Sequence, residues 1–178
     1  MKFIDLVKTR ESVRSYCEDT VPRDAIEYCL EAARLAPSAC NSQPWRFIVL
    51  DDAEKKDAAC DAAFSGVHAV TGRFVKEAPV LVIVLTERSK YIARVGGALK
   101  RVQYSLIDIG IAAEHFCLAA AEQGLGTCML GWFNDGALRK YLAVPKSADL
   151  DLVITLGYPA SAPREKKRRT IDEMRSYR

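Results

Sequence analysis

The chain is 178 residues long, with 49% hydrophobic and 28% charged side chains and a net charge of +3. This composition fits one folded domain over 1–178 with a core of its own, and excludes a disordered chain or a disulfide-dependent miniprotein. Six cysteines, no two closer than eleven positions, exclude CxxC redox motifs and the usual zinc spacings and are expected as thiols.

Met1 to Leu6 carries Asp5 and no long apolar run, so it does not read as a signal peptide. Residues 2–9 read as a short helix with Phe3, Leu6 and Val7 on one face. Residues 22–36 read as a second helix, with Pro22 in its first turn and Ile26, Leu30 and Ala33 at helical spacing. Trp45 to Leu50 reads as a strand, Ala53 to Ala63 as a helix, and Pro79 to Leu85 as a buried strand. The longest strongly apolar run, Ala78 to Leu85, is too short to cross a bilayer, so a cytoplasmic protein without a membrane partner is expected.

Gly96-Gly97 interrupts residues 87–104, which read as a helix pair and, with 64–76, as a lid; Arg73, Lys76, Arg88 and Arg94 there are candidate partners for a nicotinamide phosphate or surface charges. Residues 105–123 form a helix apolar nearly all round, the pattern of a helix buried on all sides, which in so small a domain points to a subunit interface. Gly124 sits in the C-cap position. Thr127 to Leu130 reads as a strand, Asp135 to Tyr141 as a helix, and Leu150 to Leu156 as the last strand. The elements lack a regular βαβ rhythm, so the class is α+β.

Four segments carry candidate chemistry. Arg10, Ser12 and Arg14 alternate, so an extended chain points two guanidinium groups and a hydroxyl one way; that suits a phosphate monoester, or is a solvated basic loop. Ala36 to Trp45 is dense in small and amide side chains between two prolines. On an extended backbone Asn41 and Gln43 aim together and can hold the polar edge of a planar ring; the alternative is a helix-to-strand turn capped by Ser38 and Asn41. Gly124 to Phe133 reads as a strand and tight turn, with Gly131 permitting close backbone approach. From Arg164 onward, seven basic and three acidic side chains leave the rest of the chain at −1. Such a tail is solvated, holds a phosphate or binds nucleic acid; without interleaved aromatics nucleic acid is the least favoured. His68 and His115 form no metal pair, Asp108 has no assignable role beyond a buried cap or a cofactor neighbour, and no GxGxxG fingerprint follows a strand.

These four segments, in this order, resemble the FMN-dependent nitroreductase family along nearly the whole chain. The resemblance implies a central mixed sheet flanked by helices, in an intertwined homodimer with the central apolar helix at the interface. It implies that Arg10, Ser12 and Arg14 hold the FMN phosphate together with Lys166 and Arg168, while Lys167 and Arg169 face solvent. Pro37, Ser38, Ala39, Asn41 and Gln43 would contact the flavin ring and ribityl chain of the partner subunit's site, with Trp45 in the core. Met129 and Leu130 would pack on the ring face, and the amides of Gly131 and Trp132 would face N5. The implied activity is ping-pong reduction of a small-molecule electron acceptor, such as a nitroaromatic or quinone, by NADH or NADPH without a catalytic side chain. The alternatives are a same-fold flavin enzyme such as a reductive dehalogenase, and a non-enzymatic FMN-binding sensor or carrier.

Overall fold

A computed structural model describes residues 2–87 and 102–178. The readings placed on Arg88, Arg94 and Gly96-Gly97 lie outside these residues. In chain order the elements are α1 (Phe3–Thr9), α2 (Arg23–Arg34), a 3-10 turn (Ala39–Asn41), β1 (Trp45–Leu50), α3 (Ala53–Ala63) and a second 3-10 turn (Gly66–His68). There follow α4 (Ala69–Glu77), β2 (Val80–Glu87), α5 (Tyr104–Glu122), β3 (Gly126–Leu130), α6 (Asp135–Tyr141) and β4 (Ala148–Gly157).

The strands form one sheet in the order β1-β2-β4-β3, with every neighbouring pair antiparallel. The parallel component is a bridge between Ser12 and Thr127 on the outer side of β3. Alternation along β2 sends Val80, Val82 and Val84 to one face and Leu81, Ile83 and Leu85 to the other, and both sets are buried. The first face packs on α2 and α5 through Ile26, Ile109 and Phe116; the second takes Ala59, Val75 and Leu138 from α3, α4 and α6. The molecule is therefore a three-layer α+β sandwich of helices, sheet and helices.

The sequence assigned no element to α4, whose Val70, Thr71 and Val75 are indifferent helix formers. Tertiary contacts hold it instead. The buried Lys56 ammonium donates to the Lys76 carbonyl at 2.7 Å, satisfying an orphan C=O in its last turn. The Cys60 thiol points to the Gly72 carbonyl at 3.7 Å.

α5 buries one side, with Asp108, Ile109, Ala112, Ala113, Phe116 and Cys117, while Leu106 is 49% and Ile107 is 52% exposed. By length and mean hydropathy of 1.3 it could span a bilayer, but its buried face belongs to the core shared with α2 and the sheet. Phe3 and Ile4 of α1 are exposed as well.

The segment between α1 and α2 runs extended beside the sheet edge. Val13 N–H donates to the Thr127 carbonyl at 2.9 Å, and Cys17 N–H to the Tyr158 carbonyl at 2.9 Å. The Tyr16 hydroxyl is 2.6 Å from Thr155 Oγ1 and donates toward the Val13 carbonyl at 3.0 Å. This packing leaves no room at the strand: a Cβ on Gly157 would lie 2.5 Å from Pro79 Cδ and 2.9 Å from Tyr16 Cδ1. Gly157→Ala is accordingly expected to cost about 1–3 kcal/mol by overpacking. Urea unfolding measures this, and an unchanged midpoint would contradict the close packing.

Candidate functional site

The edge segment and the C-terminal tail meet around an open cavity of about 370 Å³. Arg10, Ser12 and Arg14 line it from one side and Arg164, Lys166, Lys167 and Arg168 from the other, with Glu11 and Glu165 as the acids. Arg164, which the sequence reading did not single out, ties the two segments together. Its backbone N–H donates to Glu11 Oε2 at 3.1 Å and its Nη2 to the Ser12 carbonyl at 2.6 Å. Lys167 lines the cavity too, where the sequence had assigned it to solvent, because the tail passes close enough for consecutive residues to reach the cavity.

The half-buried Lys166 ammonium donates to the Val7 carbonyl in the last turn of α1. Burial pushes its pKa below the usual lysine value, and the Arg10 and Arg168 cations add to the effect. Arg10 is held from α5: its Nε lies 3.3 Å from Glu114 Oε1, as a charge pair without an aligned hydrogen bond. Six cations against two acids around one opening make a site for a dianion such as a phosphate monoester, which relieves their mutual repulsion.

Of the two shapes open in sequence, the loop from Pro37 to Gln43 takes the turn rather than the extended one. Cys40, Asn41 and Gln43 all adopt left-handed conformations, with φ of 53°, 49° and 45°. Each costs a non-glycine residue roughly 1 kcal/mol or more, so the surroundings must impose them. Gln43 N–H donates to Ser38 Oγ at 2.9 Å, and Gln43 Nε2 donates to Asn41 Oδ1 at 2.9 Å, so the two amides still lie side by side. Asp108 anchors the loop to α5, accepting from Ala39 N–H at 3.0 Å and from Ser42 Oγ at 3.4 Å. An acidic residue in an otherwise apolar helix was the available signal; its partner loop, 66 to 69 positions away, was not legible.

At the end of β3, Met129 packs against the core under α2 and α5 and Leu130 against the opposite core. The expectation that both side chains lie on one ring face is therefore corrected by strand alternation. Beyond them Gly131 and Trp132 are exposed. Among the described residues, a Cβ on Gly131 would meet only Leu152 Cδ2, at an ordinary 3.9 Å. The Trp132 ring, 59% exposed, leans on His68 with centroids 4.8 Å apart and planes at 53°. Burial raises the Cys128 pKa and pushes Cys117 up to about 12, which disfavours the thiolate at both.

The three-layer sandwich, its open cationic cavity and the exposed backbone after β3 define an α+β oxidoreductase scaffold once known proteins are compared. The chain belongs to the nitroreductase family, whose model matches residues 7–158. It is 32% identical over 167 residues to a Methanothermobacter thermautotrophicus protein whose provisional name pairs NADH dehydrogenase with NAD(P)H nitroreductase, covering 92% of this chain and 80% of that one. It is 28% identical to the iodotyrosine deiodinase of Thermotoga neapolitana, covering 87% of each. Among solved structures, a Streptococcus pneumoniae nitroreductase family protein superposes with a TM-score of 0.84 at 27% identity, covering 99% of this chain and 100% of that one. An FMN-dependent nitroreductase of Clostridium difficile does so with a TM-score of 0.72 at 28% identity, covering 96% and 94%.

The cavity leads to a direct expectation. Arg14→Ala combined with Arg168→Ala removes two charge-assisted donors and should weaken FMN, used as a fluorescent phosphate monoester, by about 100-fold or more. The unfolding midpoint without ligand should not fall, because two like charges also leave. Titration of flavin fluorescence decides it; unchanged affinity would remove the cavity from phosphate binding.

Proposed function

We propose that this protein is an FMN-dependent NAD(P)H oxidoreductase that reduces nitroaromatics, quinones or similar acceptors, acting as a homodimer in the cytoplasm. The observation that carries the reading is the cavity in which Arg10, Ser12, Arg14, Lys166 and Arg168 converge from opposite ends of the chain. Its donor set fits the phosphate of FMN. The C. difficile relative's FMN dependence supports the same cofactor.

Bound FMN would supply the redox chemistry, taking two electrons as hydride from NADH or NADPH and returning them to the acceptor. The chain's residues bind and orient. Arg10, Arg14, Lys166 and Arg168 hold the phosphate by charge, and Ser12 by its hydroxyl. Pro37, Ser38 and Ala39 offer a thin wall against the ring, and Asn41 and Gln43 offer amide donors and acceptors to its polar edge. The exposed backbone at Gly131 and Trp132 offers N–H donors that hold N5 without being consumed.

Two features support a dimer with shared sites. Leu106 and Ile107 on α5, with Phe3 and Ile4 on α1, leave an apolar surface that a second copy would cover. Asp108, which holds the ring-facing loop, and Glu114, which holds Arg10, are six residues apart on α5. That separation is about 9 Å along the axis and roughly 120° around it, so the two features diverge from one helix. A twofold partner would supply the loop to the cavity and complete both sites.

A second reading is reductive dehalogenation, favoured by the similarity to the Thermotoga deiodinase. Visible spectra of the purified protein under anaerobic NADH, then NADPH, test the first reading. A flavin spectrum that bleaches with either donor and returns with a quinone is expected. Bleaching that is reversed by a halogenated tyrosine but not by quinones or nitroaromatics would favour the second. No flavin uptake from added FMN would refute both.

A further inference from the structure

We propose that Asp108 is a positioning residue for the cofactor, fixing where the ring-facing loop sits against α5. The inference rests on the reading of Pro37 to Gln43 as a flavin contact.

The loop concentrates three left-handed non-glycine residues, Cys40, Asn41 and Gln43, within four positions. Asn tolerates this region through local hydrogen bonding, but Cys and Gln have no such preference. Inside the loop, Gln43 bonds to Ser38 and to Asn41 through side chains, and the Asn41 and Ser42 N–H groups donate to the Ser38 and Ala39 carbonyls at 3.0 and 3.1 Å; these bonds shape the turn without fixing where it sits. Among the described residues, Asp108 supplies the side-chain hydrogen bonds that tie the loop to α5. Its side chain is buried, 4% exposed, on the second turn of α5. One carboxylate oxygen takes the Ala39 N–H and the other faces the Ser42 hydroxyl. These contacts hold the loop on both sides of the left-handed Cys40-Asn41 pair.

A buried carboxylate needs donors, and the loop supplies them. The dependence is mutual: the carboxylate's burial requires the Ala39 N–H, and the loop's placement requires the carboxylate. Asp108 therefore sets the position of the Asn41 and Gln43 amides through the backbone of Ala39 and the side chain of Ser42. Its effect on chemistry is indirect, by preorganising the groups that touch the cofactor.

The test uses the full chain and FMN. Asp108→Ala should weaken FMN binding about tenfold or more and change the visible circular dichroism of the bound flavin at saturation, a readout of ring environment that lower stability alone would not move. Asp108→Asn keeps an oxygen for the Ala39 N–H and should restore both properties to near wild type. Should Asp108→Ala fail to fold, Ala39→Pro removes the donor from the other side. Ser38 already has the extended backbone, φ −145° and ψ 154°, that a following proline requires. This variant should also weaken FMN and alter the dichroism. Wild-type affinity and dichroism in a folded Asp108→Ala or Ala39→Pro variant would overturn the assignment. Failure of Asp108→Asn to restore binding would overturn it as well, since a charge effect would then replace positioning. A wild-type protein that takes up no FMN would refute the flavin reading itself, and with it this inference.

Discussion

The candidate site depends on how the outer edge of β3 is covered. An edge strand leaves a row of backbone donors and acceptors open. Here the extended segment from Ser12 to Tyr16 takes that place, bridging Thr127 in parallel and then Pro159 antiparallel. The Ala160 N–H returns to the Ser15 carbonyl at 3.0 Å. The same short stretch is thus tied to β3 and to the exit of β4, which leads into the basic tail. Two segments about 150 positions apart are brought alongside by backbone pairing, before any charge acts between them. Gly126 and Gly157 allow the approach, since a Cβ on either would lie 2.5 Å from an atom of Val13 or Pro79.

Once the backbone has made that pairing, electrostatics works against it. Arg10, Arg14, Arg164, Lys166, Lys167 and Arg168 share one opening. Glu11 and Glu114 offset part of the repulsion by pairing with Arg164 and Arg10. Burial lowers the Lys166 pKa, and the Arg10 and Arg168 cations lower it further, so its charged form is disfavoured. A group whose charged form is disfavoured in the folded state weakens the fold while it is protonated, and the penalty fades as pH rises through its lowered pKa. The cluster is therefore a cost to the empty protein and a gain on binding an anion. Preorganised binding sites commonly divide stability and function in this way.

Most of the fold was legible because its elements are governed by local pattern. Trp45 to Leu50, Ala53 to Ala63 and Asp135 to Tyr141 are found as read, and the ends of the other strands and helices that were read and lie in the described residues shift by at most two residues. What escaped was decided by distant contacts. α4 exists because Lys56 and Cys60 hold it, against indifferent local propensity. The loop after α2 turns through left-handed residues and is tied to Asp108 of α5, a contact across 66 to 69 positions that no local pattern encodes. Lys167 and Arg164 join the cavity because of how the tail docks, which no spacing encodes. The residue types that point to a phosphate were visible in sequence; their convergence required the sheet edge.

α5 reconciles the two halves of the site. A helix with a single apolar stripe can only line a core, and a helix apolar all round is normally surrounded by its own chain. α5 is neither, for one side lies in the core and Leu106 and Ile107 stay exposed. Two of the polar residues that interrupt it, Asp108 and Glu114, contact the candidate site segments, while His115 and Glu122 bond to α2. Asp108 faces the strained loop and Glu114 faces Arg10. A rigid helix keeps these two attachments at fixed spacing and angle, so a movement of the exposed apolar face would shift both together. Covering that face with a second copy would therefore do more than bury Leu106 and Ile107. It would fix the relation between one subunit's loop and the other's cationic cavity, coupling assembly to cofactor binding through a single element.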